Sequence, residues 1–170
     1  MTRNDTIAGT VLGAATLAMG LIAGSFYVFA CAVMPGLARS DDRVFVEVMR
    51  DINDVIQNPV FLLGFLGALV LTGVSAWQLR GEPYRRRVWA ALAVYALAFL
   101  VTVGFNIPLN NGLEGAGEPA DLREEFEGAW VVWNVVRAVL STVALGCLGA
   151  ALVGYGRNRR DWASAGPSAG

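Results

Sequence analysis

Residues 128–156 read GAWVVWNVVRAVLSTVALGCLGAALVGYG, a run in which Arg137 is the only charge. A helix needs about 20 mainly apolar residues to cross a hydrocarbon core, so this run is long enough to span a bilayer. Outward from it, residues 6–38, 55–79 and 88–113 carry no charge at all. Four such runs imply an all-α chain, an integral membrane four-helix bundle. Charged residues are 16% of the chain and mean hydropathy is +0.51. A soluble domain carries about 25% charge, which excludes a soluble enzyme. A nucleic-acid partner is excluded too, because no clustered basic surface stands apart from the spans.

The spans are expected at about 6–34, 59–79, 88–109 and 129–155, within a single domain covering 1–156. Pro35-Gly36 is expected to end the first, and Asn58-Pro59 to cap and open the second. The apolar run of the first span is far longer than the 7–15 residues of a signal peptide core, so it is read as retained. The tail 157–170 is small and polar, and is expected to be disordered and cytoplasmic. Between spans 1 and 2, Phe45, Val48, Met49, Ile52, Val55 and Ile56 recur at helical spacing against Glu47, Arg50, Asp51 and Asp54. That pattern predicts an amphipathic helix over about 41–57, covering loop backbone or acting as a lid.

Charge sets the expected orientation. Segment 80–87 holds four Arg and one acid, and the tail from Arg157 holds three Arg and one acid. Segment 39–58 holds three Arg and five acids, and 110–127 holds one Arg and six acids. Arginine excess marks the cytoplasmic side, so both termini are expected inside the cell (plasma or inner) membrane of a multi-pass protein. Trp77, Tyr84, Trp89, Tyr155 and Trp162 would form the inner aromatic belt, Phe126 and Trp130 part of the outer one.

Composition also narrows the chemistry. The chain has no His and no Lys, so the commonest general base and the commonest transition-metal ligand are missing. Cys31 and Cys147 fall at different depths and are expected to be free thiols. No metal and no cofactor is therefore expected.

Arg137 stands about eight residues into span 4, where a charge must face protein or water. Trp130, Trp133, Asn134 and Ser141 share its helical face. On span 3, Thr102, Asn106 and Asn110 form a second polar stripe, and antiparallel packing puts the two at one depth. Asn53, Gln57 and Asn58 would approach from the lid side, Ser25 and Tyr27 from span 1. The expected result is a half-buried pocket opening outward. Arg137 and Asn134 would act on the reacting group, and Trp133, Trp130, Asn106, Asn110, Asn53 and Tyr27 would bind the ligand, a planar lipophilic aromatic. The alternative is a polar clamp locking spans 3 and 4, in which Arg137 bonds Asn side chains, Asp51 or Asp54. Gly20-x-x-x-Gly24 offers a close-packing seam, within the bundle or in a homo-oligomer.

The segments Val33-Met34-Pro35-Gly36-Leu37, Met49-x-x-Ile52-Asn53-x-x-Ile56-x-Asn58-Pro59, Asn106-Ile107-Pro108-Leu109-Asn110 and Trp130-x-x-Trp133-Asn134-x-x-Arg137 occur in this order. Together, over roughly residues 10–155, they resemble the anthrone oxygenase-like family of small four-span membrane proteins. The resemblance implies oxidation of an anthrone to an anthraquinone with O2 and no recognised cofactor, the bilayer and a lipophilic aromatic substrate being the partners. An anthrone anion can pass an electron to O2 without metal or flavin, and a fixed cation in a dry site favours that anion. Arg137 would be that cation, with Asp51, Asp54, Tyr27 or solvent as base. A four-span proton-coupled exporter would need an acidic residue inside a span, and none is present. A non-catalytic membrane protein binding a lipid, a quinone or a partner protein is the remaining alternative.

Overall fold

The computed structural model describes residues 3–164, with side chains for 6–159. Trp162 lies outside the described side chains, and 165–170 outside the described residues. Seven α-helices follow in order: α1 Arg3–Val28, α2 Met34–Leu37, α3 Asp42–Val55, α4 Pro59–Gln78, α5 Arg85–Val101, α6 Ile107–Leu113 and α7 Pro119–Ser164. Two π-helical segments, Phe29–Val33 and Thr102–Asn106, join α1 to α2 and α5 to α6. The resulting long helices Thr6–Leu37, Pro59–Gln78, Arg85–Leu113 and Pro119–Arg159 have the length and hydropathy of membrane spans. In the bundle α1 packs against α4 and α7, and α5 packs against the same two.

Small and large side chains alternate along the bundle axis. Ala15, Ala68, Ala91, Ala98, Ala144 and Ala151 let the backbones approach, while Leu12, Met19, Phe65, Val88 and Leu148 fill between them. The phenolic group of Tyr95, fully buried, donates to the carbonyl of Phe65 at 2.9 Å. That bond satisfies a polar atom which would otherwise be costly in an apolar core. Leu17, Leu63, Val70, Leu100 and Val139 point outward, as surfaces facing hydrocarbon do.

Pro35 behaves differently from the reading above, and Pro108 repeats its pattern. Neither Pro35 nor Pro108 ends its helix. Met34 N–H donates to the carbonyl of Phe29 and Ile107 N–H to that of Thr102, both five residues back. Each proline then follows one position later. A proline in a helix lacks a donor and strikes the carbonyl four residues back. The wider π turn moves that carbonyl aside, so the helix continues.

The second span opens as expected. Asn58 Oδ1 accepts from the N–H groups of Val60 and Phe61, both at 3.0 Å, with Pro59 at the first helical position. α3 occupies the expected amphipathic segment, capped by Asp41 Oδ1 accepting from Val44 N–H. Its buried face is rotated from the reading: Phe45, Val46, Met49 and Asn53 point in, while Val55 is exposed. The close glycine contact is also elsewhere. Gly24 meets no neighbour and Gly20 only Leu145 at 3.8 Å, whereas a Cβ on Gly9 would lie 2.7 Å from the Tyr155 ring. Cys31 and Cys147 are free.

α7 is longer than the expected span at both ends. It starts at Pro119, ten residues earlier, so the acidic segment rides on a helical extension, and it runs on to Ser164 through the start of the region read as a disordered tail. The extension provides the wall on which α3 docks.

Candidate functional site

α3 lies across the end of the bundle reached by α2 and α6. Phe45 and Met49, fully buried, pack with Met34, Leu113, Phe126 and Trp130. Two arginines staple the helix in place. Arg50 donates through Nε to the carbonyl of Leu113 and through Nη2 to that of Gly115, each at 2.9 Å. Arg123, on the α7 extension, bonds the carbonyls of Ala38 and Ser40, pairs with Asp42 and Glu127, and lies over the Phe45 ring at 4.5 Å. Its two carboxylate partners raise its already high pKa, so the staple stays charged at any physiological pH. Neither arginine stood out in the sequence, although Arg123 is the lone cation among six acids. α3, held at its start by Arg123 and at mid-helix by Arg50, covers this end of the bundle, and the cluster beneath is buried rather than half-buried and open as expected.

Beneath this cover lies the polar cluster. Arg137 is 7% exposed, and Asn134 and Asn106 are each 1% exposed. Arg137 Nη2 donates to Asn134 Oδ1 at 3.0 Å, and Asn134 Nδ2 donates to the carbonyl of Phe26 at 3.1 Å. The guanidinium carbon lies 4.3 Å from the centre of the Phe26 ring and 5.6 Å from that of Trp130. Two aromatic faces thus flank the cation, an arrangement that lowers the cost of its burial. No carboxylate lies within ion-pair distance of it among the described residues, and Asp51 and Asp54 are exposed on α3. Arg137 Nε has no partner, nor do both carboxamide atoms of Asn106, Asn53 Nδ2 and Ser141 Oγ.

The cross-span bonds are made by other residues. Trp130 Nε1 donates to Asn110 Oδ1 at 2.8 Å, joining spans 4 and 3. Asn134 joins spans 4 and 1. Arg137 bonds only within its own helix, so a clamp between spans 3 and 4 describes Trp130 and Asn110 rather than Arg137.

The structure therefore brings together Arg137, Asn134 and Trp130, and ties Asn110 to them. Asn53 and Asn106 are buried with atoms unspent. Tyr27 is 62% exposed and does not join the group: Phe26 takes the inward position, and one residue's rotation turns Tyr27 out of the bundle. Gln57 and Asn58 are used locally, Gln57 on the carbonyl of Asn53 and Asn58 as the α4 cap. Ser25 bonds the carbonyl of Leu21. Trp133 sits on the flank of the face and stacks on Phe105, ring centres 3.7 Å apart and planes within 14°. That partner went unmarked in the sequence, where an aromatic in an apolar run carries no signal.

Trp133 and Phe105 line a groove of about 360 Å³ that runs between α6 and α7, with Pro108, Gly112, Glu125 and Phe126. Both π segments adjoin the cluster. Phe29 of the first packs on Trp130 at 5.7 Å, and the second carries Phe105 and Asn106. Wide turns of this kind are frequent at functional sites. Among the described residues no group of three or more Cys, Asp or Glu is placed to hold a metal ion.

A family model described as Anthrone oxygenase matches residues 55–147, more than half of the chain. The match takes in the π segment of span 3, Asn106, Asn110 and the face from Trp130 to Ser141. No curated protein and no solved structure matches.

Proposed function

Because the chain belongs to the anthrone oxygenase family, we propose that it is a cofactor-independent oxygenase of the membrane, oxidising a planar phenolic or anthrone-type polyketide with O2 beside Arg137. The observation that carries this reading is a buried guanidinium with no counter-anion among the described residues and an unspent Nε–H. A bare cation in a dry site is costly, and a ligand anion is what would offset that cost.

The chemistry balances without a metal or flavin. A methylene between two aromatic rings, conjugated through them to the carbonyl across the central ring, loses a proton and gives a delocalised anion whose charge sits largely on oxygen. Arg137 stabilises that oxyanion by a charge-assisted hydrogen bond in a low-dielectric surround. The anion passes one electron to O2, and the resulting carbon radical and superoxide combine. Protonation gives a hydroperoxide on carbon, and loss of water leaves the new carbonyl. One CH2 and one O2 become one C=O and one H2O. Tyr27, Asp51 and Asp54 all stand exposed, so the proton passes to water in this scheme. We place the Arg-rich segments on the cytoplasmic side of the cell membrane and α3 on the opposite side.

The test is O2 uptake and quinone formation by the detergent-solubilised protein given a simple anthrone, beside Arg137→Gln and a protein-free control. Turnover well above autoxidation, lost in a variant that still folds, is the expected result. A rate no greater than the control, with folded protein, would remove the oxygenase reading. It would leave a lipid- or quinone-binding protein.

A further inference from the structure

The polar cluster is sealed by α3 at one end and by the packed core at the other, so a ligand needs another way in. Every wall of the groove between α6 and α7 suits one kind of ligand. Phe105 and Trp133, stacked on each other, line it with Pro108 and Phe126 beside them. Val103, Ile107 and Val132, exposed on the same two spans, make the surround that a bilayer would cover. Among the described residues Glu125 is the only ionisable one lining the groove, and its carboxylate repels an anion while leaving a neutral molecule unaffected. Directly after Phe105 comes Asn106, 1% exposed, with neither carboxamide atom bonded. Directly after Trp133 comes Asn134, already bonded to Arg137. The stacked pair thus stands between a groove open to lipid and a polar interior with unspent donors and an unspent acceptor.

We propose that this groove is a binding subsite for the neutral form of a planar fused-ring aromatic, which enters sideways from the bilayer, takes the place of one ring in the Phe105–Trp133 stack and is received by the Asn106 carboxamide. The subsite rests on the reading of Arg137 as the anion site: the ligand crosses the groove uncharged and ionises only at the guanidinium. The volume is in the range of small-molecule pockets, about 300–1,000 Å³. Gly104 lacks a Cβ beside the stack, and Gly104 and Gly112 each have open space around the position a Cβ would take. A larger side chain at either position fills the groove without displacing the fold.

The test uses the full chain and a dihydroxyanthraquinone, an unreactive planar probe held neutral at mildly acid pH, its binding read by Trp fluorescence quenching. Gly112→Phe is expected to weaken binding at least tenfold with thermal unfolding unchanged, and Gly104→Leu to do the same. Arg137→Gln is expected to keep binding of the neutral probe. If the groove-filling variants bind as wild type does, or wild type binds no probe, the subsite is overturned. Binding lost in Arg137→Gln but untouched by Gly112→Phe would overturn the subsite and leave the anion site standing. Groove-dependent binding, together with oxygen uptake that ignores Arg137, would keep the subsite and overturn the anion reading. Binding seen in detergent but abolished in phospholipid nanodiscs would mean that an acyl chain fills the groove, and would also overturn it.

Discussion

Replacing Arg137 with Met is expected to abolish turnover while leaving resistance to unfolding within about 1 kcal/mol of wild type. The guanidinium is almost fully buried, with one neutral hydrogen-bond partner and no carboxylate. Apolar replacement of buried charged groups of similar volume is often neutral or stabilising by about 1–4 kcal/mol. Against this stand two ring contacts, at 4.3 and 5.6 Å, each worth up to about 2 kcal/mol when desolvated, and one bond to Asn134. Met keeps part of the ring contact through its thioether, and Asn134 keeps its bond to the Phe26 carbonyl. These terms nearly cancel, so the net expectation is a stability change of no more than about 1 kcal/mol in either direction. Reversible unfolding in a detergent–SDS titration reads it. A structural clamp predicts instead a loss of several kcal/mol with no separate loss of activity.

The second large effect is on the cover. Phe45 is fully buried and packs on Phe126 with ring centres 6.2 Å apart, while Arg123 lies over its other side. Phe45→Ala is expected to cost about 3–5 kcal/mol, comparable with everything else that holds a 14-residue helix to the bundle. The arginine staples are part-exposed and contribute modestly. α3 is therefore expected to undock locally while the four spans stay folded. Amide hydrogen exchange across 42–55 should rise steeply with exchange in α4 and α5 unchanged, and Trp130 should become open to an aqueous quencher. A uniform rise across the spans would show instead that α3 and the bundle unfold as one unit.

The architecture was legible because charge is the dearest thing to place in hydrocarbon, so four runs almost free of it can only be spans. The cap at Asn58 was legible because it offers a short oxygen acceptor just before Pro59 and an apolar run, whereas the cap at Asp41 shows only in the structure. What escaped the reading was decided by contacts between distant residues or by backbone adjustments. Pro35 read as a helix end, since nothing in the sequence marks a π turn two residues upstream. Asn53 rotated the buried face of α3, and only the docked helix shows a carboxamide turned inward. The acidic residues before Gly128 read as loop, but α3 stabilises them as helix. Of the site, Arg137, Asn134 and Trp130 were legible from one helical face. Phe105 was not, because its meaning comes from Trp133 stacking on it across two spans.

The central claim is that Arg137 holds the anion of its ligand, and the ionisation of a bound ligand tests it most directly. A dihydroxyanthrone bound to the protein without O2 can be titrated by its absorbance, since the anion absorbs at longer wavelength than the neutral form. A fixed cation favours the charged form and lowers the midpoint. The account predicts a midpoint at least about one pH unit lower on the wild type than on Arg137→Gln, a tenfold preference for the anion. Equal midpoints on the two folded proteins would contradict it.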